Sequence, residues 1–185
     1  MRPLPDKFEE LEKLLLHSRD TLAQNAGVPF IRLVYRPEEE QACCHQRETL
    51  ARVLVDRGIP VETVSCRGAF FAHYERLGRL DRLFELAETN PDWLERNIGQ
   101  HARKEMVSQL LAAAATLGSD GVIFMVDTAF TYPYLSLAGV LHDVTNQIVP
   151  PMALVLFYPG ELSVDGELLL LGRRPSGVYR TIDLM

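Results

Sequence analysis

The chain has 185 residues, of which 47% are hydrophobic and 24% are charged. This composition is close to the average of soluble globular proteins and excludes wholesale disorder, and the length suits one ordinary domain. Nineteen basic and twenty-five acidic residues give a net charge of −6, which repels phosphate backbones and argues against direct, tight binding of nucleic acid.

The N-terminal residues and the cysteines indicate the compartment. No apolar core of a signal peptide follows Met1, and no apolar run approaches the ~18 residues of a membrane span. Three cysteines are an odd and low number, which does not suggest a disulfide framework. We therefore expect a cytoplasmic protein with no membrane partner.

Helix and strand patterns alternate in the first third of the chain. The apolar spacing from Phe8 to Leu22 predicts a helix that stops at residues 25–27. A β-rich run at 28–35 is followed by a helix from Pro37 to Gly58, whose first turn is acidic, and by a second strand at 61–66. Together they predict a βαβ unit with a right-handed parallel crossover.

Helical patterns dominate the middle of the chain. Leu77, Leu80, Leu83 and Phe84 predict one helix, and residues 90–92 cap a longer helix that runs toward Gly118. The continuously apolar run that follows, at 121–126, is typical of a central strand buried on both faces of a parallel sheet.

The last third predicts one helix and three strands. Residues 135–148 form the helix, and 153–158 form a second buried strand that Pro159-Gly160 breaks. The runs at 167–171 and 178–184 predict an antiparallel pair that finishes the sheet. The fold class is therefore α/β: a single domain over residues 1–185 with a mixed, mostly parallel sheet flanked by helices and a C-terminal antiparallel pair.

No motif is complete enough to run a reaction. Asp127 follows the strand at 121–126 as an acid does in P-loop NTPases, but no G-x-x-x-x-G-K-[ST] cradle accompanies it, so a turn or cap role is expected. The glycine-rich dinucleotide-binding motif, a pair of metal-binding histidines on one helical turn and the G-x-S-x-G serine motif are also missing. The adjacent residues 43–45 point in different directions on a helix and cannot readily bind one metal ion together. We expect no enzyme activity, catalytic residue, cofactor or metal.

Two segments near the C-terminus resemble a known family. Phe157-Tyr158-Pro159-Gly160 follows an apolar strand and precedes Asp165-Gly166, a leucine strand and Tyr179-Arg180. This order, together with Tyr132-Pro133-Tyr134-Leu135 upstream, resembles the BrxB family of bacterial BREX phage-exclusion systems. The clear similarity covers about residues 120–185.

The resemblance implies a small, non-catalytic accessory subunit that binds a PglZ-type phosphatase-superfamily protein, and other components of the same BREX defence system are further candidate partners. The candidate partner-binding residues are Tyr158, Pro159, Gly160, Tyr132 and Arg180. Two alternatives stay open. The chain could be a small-molecule or nucleotide-sensing domain that uses the strand ends near Asp127 and Tyr158, or a hydrolase or nuclease whose catalytic residues are not contiguous.

Overall fold

The computed structural model describes residues 1–22, 29–177 and 179–185, and within them it has six α-helices and seven strands. The helices are α1 (Leu4–His17), α2 (Glu40–Asp56), α3 (Cys66–Arg76), α4 (Leu80–Thr89), α5 (Pro91–Leu117) and α6 (Leu137–Val144). The strands are β1 (Phe30–Tyr35), β2 (Val61–Ser65), β3 (Val122–Val126), β4 (Ala153–Leu162), β5 (Leu168–Leu170), β6 (Arg174–Pro175) and β7 (Ile182–Leu184). None of the described helices has the length and apolar character to span a bilayer.

Five parallel strands form the body of the sheet in the order β2-β3-β4-β1-β7. Alternate side chains of the central strands enter two separate cores. On β3, Ile123 and Met125 pack beneath α3, α5 and α6, whereas Val122, Phe124 and Val126 pack beneath α1 and α2. The prediction of an α/β fold with a mostly parallel sheet between helices is confirmed.

The predicted βαβ connection is present, but its two strands are not adjacent in the sheet. β1 and β2 are parallel, but β3 and β4 lie between them, so the connection through α2 crosses two strands. Strand propensity and apolarity show that a segment is buried, but they do not show which segment lies beside it. The predicted helix stop at 25–27 and the first residue of the predicted strand, Val28, lie outside the described residues.

The C-terminal antiparallel pair is present, but one of its members is not the predicted one. β5 pairs antiparallel with β6, whereas β7 adds a parallel strand beside β1 on the other side of the sheet. An ion pair fixes that register, because the Arg32 guanidinium donates two hydrogen bonds to the Asp183 carboxylate. The expected pairing of 167–171 with 178–184 is therefore wrong, and Val178 lies outside the described residues.

β4 does not break at Pro159-Gly160, as the sequence predicted, but continues to Leu162. Pro159 lies opposite Tyr35, the last residue of β1, so its missing N–H falls where the central sheet ends. Gly160 then pairs with β5, and a Cβ atom there would lie 2.7 Å from the Leu169 carbonyl oxygen. The Pro-Gly pair thus marks the point where β4 changes its partners.

Lys7 lies on the buried face of α1. Its side chain has no exposed surface, and its Nζ donates a 2.7 Å hydrogen bond to the carbonyl oxygen of Val34. Burial lowers the pKa of Lys7, and the nearby Glu39 carboxylate offsets this effect only in part. A buried ammonium without an ion-pair partner costs stability.

We expect Lys7→Met to increase the free energy of unfolding at pH 7 by about 1 kcal/mol, because methionine keeps the packing and removes the buried charge. Urea unfolding at several pH values measures this change. Between the lowered pKa of folded Lys7 and its ordinary value of 10.5, the unfolded chain binds more protons than the folded chain. The stability of the wild type therefore rises with pH in this range, and the stability advantage of the methionine variant becomes smaller. Lys13→Met, on the exposed side of α1, is the control. A methionine variant less stable than wild type at pH 7 would contradict the expectation.

Candidate protein-interaction surface

Tyr158 lies inside the protein. Its side chain is 2% exposed and belongs to the core beneath α3, α5 and α6. The Arg32 guanidinium stands 5.4 Å from the centre of its ring. Its hydroxyl has no hydrogen-bond partner among the described residues, and burial raises the pKa of Tyr158 to about 12. The Tyr158 side chain is therefore not exposed in this structure, and its role as a partner-binding residue stays a prediction.

The other candidate residues do not form one surface with Tyr158. Pro159 and Gly160 are buried in β4, Tyr132 is half-buried against the same core, and Arg180 is exposed. A different arginine holds the segment around Tyr132 in place: Arg174 donates to the carbonyl oxygens of residues 133 and 135, at 2.9 and 3.2 Å. Tyr132 and Arg180 are therefore the two candidates that a partner can reach.

Asp127 ends β3 in a left-handed backbone conformation, with φ of 55°. Its carboxylate accepts a hydrogen bond from the Ser65 hydroxyl, and Ser65 in turn accepts one from the backbone N–H of Gly68 in the first turn of α3. Asp127 and Ser65 thereby tie the carboxyl ends of β2 and β3 to the start of α3. This geometry agrees with the turn role predicted for Asp127.

Glu40 is another acid at this edge of the sheet. Its carboxylate accepts hydrogen bonds from the Tyr35 hydroxyl and from the Cys44 thiol, so both of its oxygens are engaged. Burial raises the pKa of Cys44, and that of its buried neighbour Cys43 rises for the same reason. In the part of the chain that the structure describes, no group of three His, Cys, Asp or Glu side chains is placed to hold a metal ion.

Aromatic side chains collect where the chain leaves β2 and β3. We call Phe70, Phe71, Phe84, Phe130 and Tyr134 the aromatic cluster. The ring of Phe70 lies 5.1 Å from those of Phe130 and Tyr134, and Phe71 lies 5.3 Å from Phe130 and 6.3 Å from Phe84. The cluster therefore runs without interruption from a buried ring to an exposed one.

Two turns place this cluster at the carboxyl side of the sheet. The Ser65 cap starts α3 directly after β2, which brings Phe70 and Phe71 into its second turn. A short 3-10 turn, Thr128–Thr131, follows β3 and carries Phe130. Loops and turns at the carboxyl ends of parallel strands are where α/β proteins bind ligands and partners.

The outer end of the cluster is open to solvent. Phe84 on α4 is 54% exposed, although its neighbour Leu83 is 3% exposed and faces the core. Adjacent helical residues point about 100° apart, so burying Leu83 leaves Phe84 at the margin of the helix. Leu77 before α4 and Trp93 after it are 51% and 42% exposed. An exposed aromatic side chain that continues a packed cluster, as Phe84 does, is a candidate contact for a protein partner.

The sequence did not reveal this surface. The pattern that includes Leu77, Leu83 and Phe84 predicted a helix, and the helix is present, but of these three residues only Leu83 is buried. The available signal was the width of the apolar stripe on α4, because a ten-residue helix that packs through Leu80, Leu83 and Leu86 leaves Phe84 at the edge of that stripe.

No family model, no curated protein and no solved structure matches this chain.

Proposed function

We propose that this protein is a non-catalytic interaction subunit of a BREX-type phage-defence complex, acting in the cytoplasm, and that it binds a PglZ-type partner, alone or with other components of the system. The resemblance of residues 120–185 to the BrxB family suggests the system. The observation that carries the interaction role is the exposed end of the aromatic cluster, Phe84.

Phe84 has the properties of a residue that anchors a partner. Aromatic side chains give a large apolar contact area for little loss of conformational entropy, and they are enriched in the cores of interfaces. The ring of Phe84 packs against that of Phe71, which is itself packed against Phe130, and these contacts favour one position of Phe84 before any partner binds. Preorganisation of this kind lowers the cost of association.

Tyr132 connects this surface to the family resemblance. It stands between Phe130 and Tyr134, both members of the aromatic cluster, and it belongs to the Tyr-Pro-Tyr-Leu segment on which the resemblance partly rests. We propose that a partner covering Phe84 also contacts Tyr132. Arg180 would be an additional contact, and Tyr158 would act only indirectly, by supporting the structure.

The test is co-purification of the tagged protein with the PglZ-type protein of the same operon. We expect a stoichiometric complex with wild type and, for Phe84→Ala, a loss of affinity of about thirtyfold, since truncating an interface hot spot costs about 2 kcal/mol or more. Val55→Ala is the matched control, because Val55 is 56% exposed on α2, which covers the other face of the sheet. Failure of the wild type to bind any component of the system would overturn the proposal.

A second candidate function is the sensing of a small molecule or nucleotide. One observation favours it: the backbone of Asp127 is in the left-handed region, and such strain in a residue other than glycine is often found at ligand sites. A nucleotide that raises the melting temperature of the protein without its partner, and fails to do so with Asp127→Asn, would support this function over the first.

A further inference from the structure

The exposed apolar side chains around α4 lie in an acidic part of the chain. Between residues 80 and 95 there are five acidic side chains and one basic side chain. The acids are Asp81, Glu85, Glu88, Asp92 and Glu95, and all are exposed. The single base, Arg82, pairs with Glu85. With Arg79 and Arg96, which flank it, the segment over residues 79–96 carries five acidic and three basic side chains, a net charge of −2.

Helical geometry brings two of these acids next to Phe84. Asp81 lies three residues before Phe84 and Glu88 four residues after it, all within α4. Side chains three and four residues apart lie on the same helical face. Phe84 is therefore an apolar side chain with a carboxylate on each side along the helix.

None of the salt bridges among the described residues involves Asp81 or Glu88. The Arg76 guanidinium, at the end of α3, donates two hydrogen bonds to the Glu105 carboxylate. Arg103 on α5 is likewise paired with Asp143 on α6. Arg79 and Arg96 lie close to α4 in sequence, and among the described residues neither forms a salt bridge with Asp81 or Glu88, so both carboxylates are available to charges on a binding partner.

We infer that this surface binds an amphipathic helical segment of the partner, in which apolar side chains that cover Phe84 are flanked by Lys or Arg side chains that face Asp81 and Glu88. This inference rests on the proposed function and specifies the chemistry of the partner. Apolar contact with Phe84 would supply affinity, and the opposite charges would set the orientation and increase the association rate.

The negative charge of this surface also argues against a second copy of this chain as its binding partner. In a twofold dimer the same patch meets itself, so Asp81 and Glu88 of one copy would face acids of the other. Facing like charges across an interface costs several kcal/mol. A basic partner segment meets no such repulsion.

Two designed peptides test the inference directly. Both form amphipathic helices with leucine on one face; the polar face carries lysine in the first and glutamate in the second. Fluorescence anisotropy of the labelled peptides, titrated with the full chain, measures binding. We expect the lysine peptide to bind at least tenfold more tightly at low salt, with the difference reduced at high salt.

Three variants locate the binding site. Phe84→Ala and the double charge reversal Asp81→Lys, Glu88→Lys should each weaken binding of the lysine peptide at least tenfold. The control is Asp165→Lys, Glu167→Lys, which makes the same change of net charge in the exposed turn between β4 and β5 and should leave specific binding intact. An equal loss of affinity in the control variant would show that the lysine peptide is attracted only by the net charge of the protein. That result would overturn the inference.

Other outcomes separate this inference from the proposed function. A PglZ-type protein that co-purifies equally well with wild type and with the double charge reversal overturns the inference and leaves the proposed function intact. Wild type that binds the lysine peptide at Phe84 but no BREX component overturns the proposed function alone. A dimer in sedimentation velocity that Phe84→Ala dissociates would show a second copy on this surface and would overturn the inference.

Discussion

Tyr158→Ala is expected to lower the free energy of unfolding by about 3–5 kcal/mol, the usual cost of truncating a buried aromatic side chain. Tyr158 is 2% exposed, and its ring packs in the core beneath Arg32. Urea unfolding gives the change directly. Because the loss is structural, any loss of partner binding should accompany the loss of stability.

Tyr158→Phe is the matched variant. It keeps the ring and removes a buried hydroxyl that has no hydrogen-bond partner among the described residues, so we expect stability to be unchanged or to rise by about 1 kcal/mol. An alanine variant that melts like wild type yet fails to bind the PglZ-type partner would show instead that Tyr158 is a direct contact, as the sequence predicted.

Gly99→Ala should destabilise the protein by about 2–3 kcal/mol, although alanine favours a helix by about 1 kcal/mol over glycine. Gly99 lies inside α5, where the backbone of Tyr134 packs against it. A Cβ atom at Gly99 would overlap with the Tyr134 carbonyl oxygen and lie 3.2 Å from its carbonyl carbon. Two backbones must therefore move apart to admit one methyl group.

Gly68→Ala is the control for this change. Gly68 is also helical, in α3, but a Cβ atom there would lie 3.6 Å from the Ser65 side chain, which is an ordinary contact. We expect this variant to be as stable as wild type or more so. Thermal melting of the two alanine variants side by side measures the difference, and equal melting temperatures would contradict close packing of α5 on the segment around Tyr134.

The sequence predicted the elements of this fold better than their arrangement. The apolar run at 121–126 and the Asn90 cap each led to a correct element, β3 and α5, because burial on both faces and capping are local properties. Strand order is not local. β2 lies beside β3, and β7 lies beside β1, because of side-chain packing between segments that are far apart in the sequence. Local sequence patterns do not show such contacts.

The candidate site was less predictable for a related reason. Tyr158 and Phe84 are both aromatic residues in apolar stretches, yet Tyr158 is buried and Phe84 is half exposed. Whether each of these rings is buried depends on the elements that pack over it. β4 is central and continues past Pro159, whereas α4 is a short helix that packs through Leu83 and leaves Phe84 at its margin.

The place of β1 in the sheet has a consequence for how the chain folds. Phe30 lies opposite Leu154, and Leu33 lies opposite Leu184, so both neighbours of this early strand come from the far end of the chain. Contacts between such distant segments carry a large loop-closure entropy and slow the search for the native topology. During synthesis the apolar segment Phe30–Tyr35 emerges long before β4 can pair with it. In that interval its unpaired edge is a site for aggregation or for binding by a chaperone.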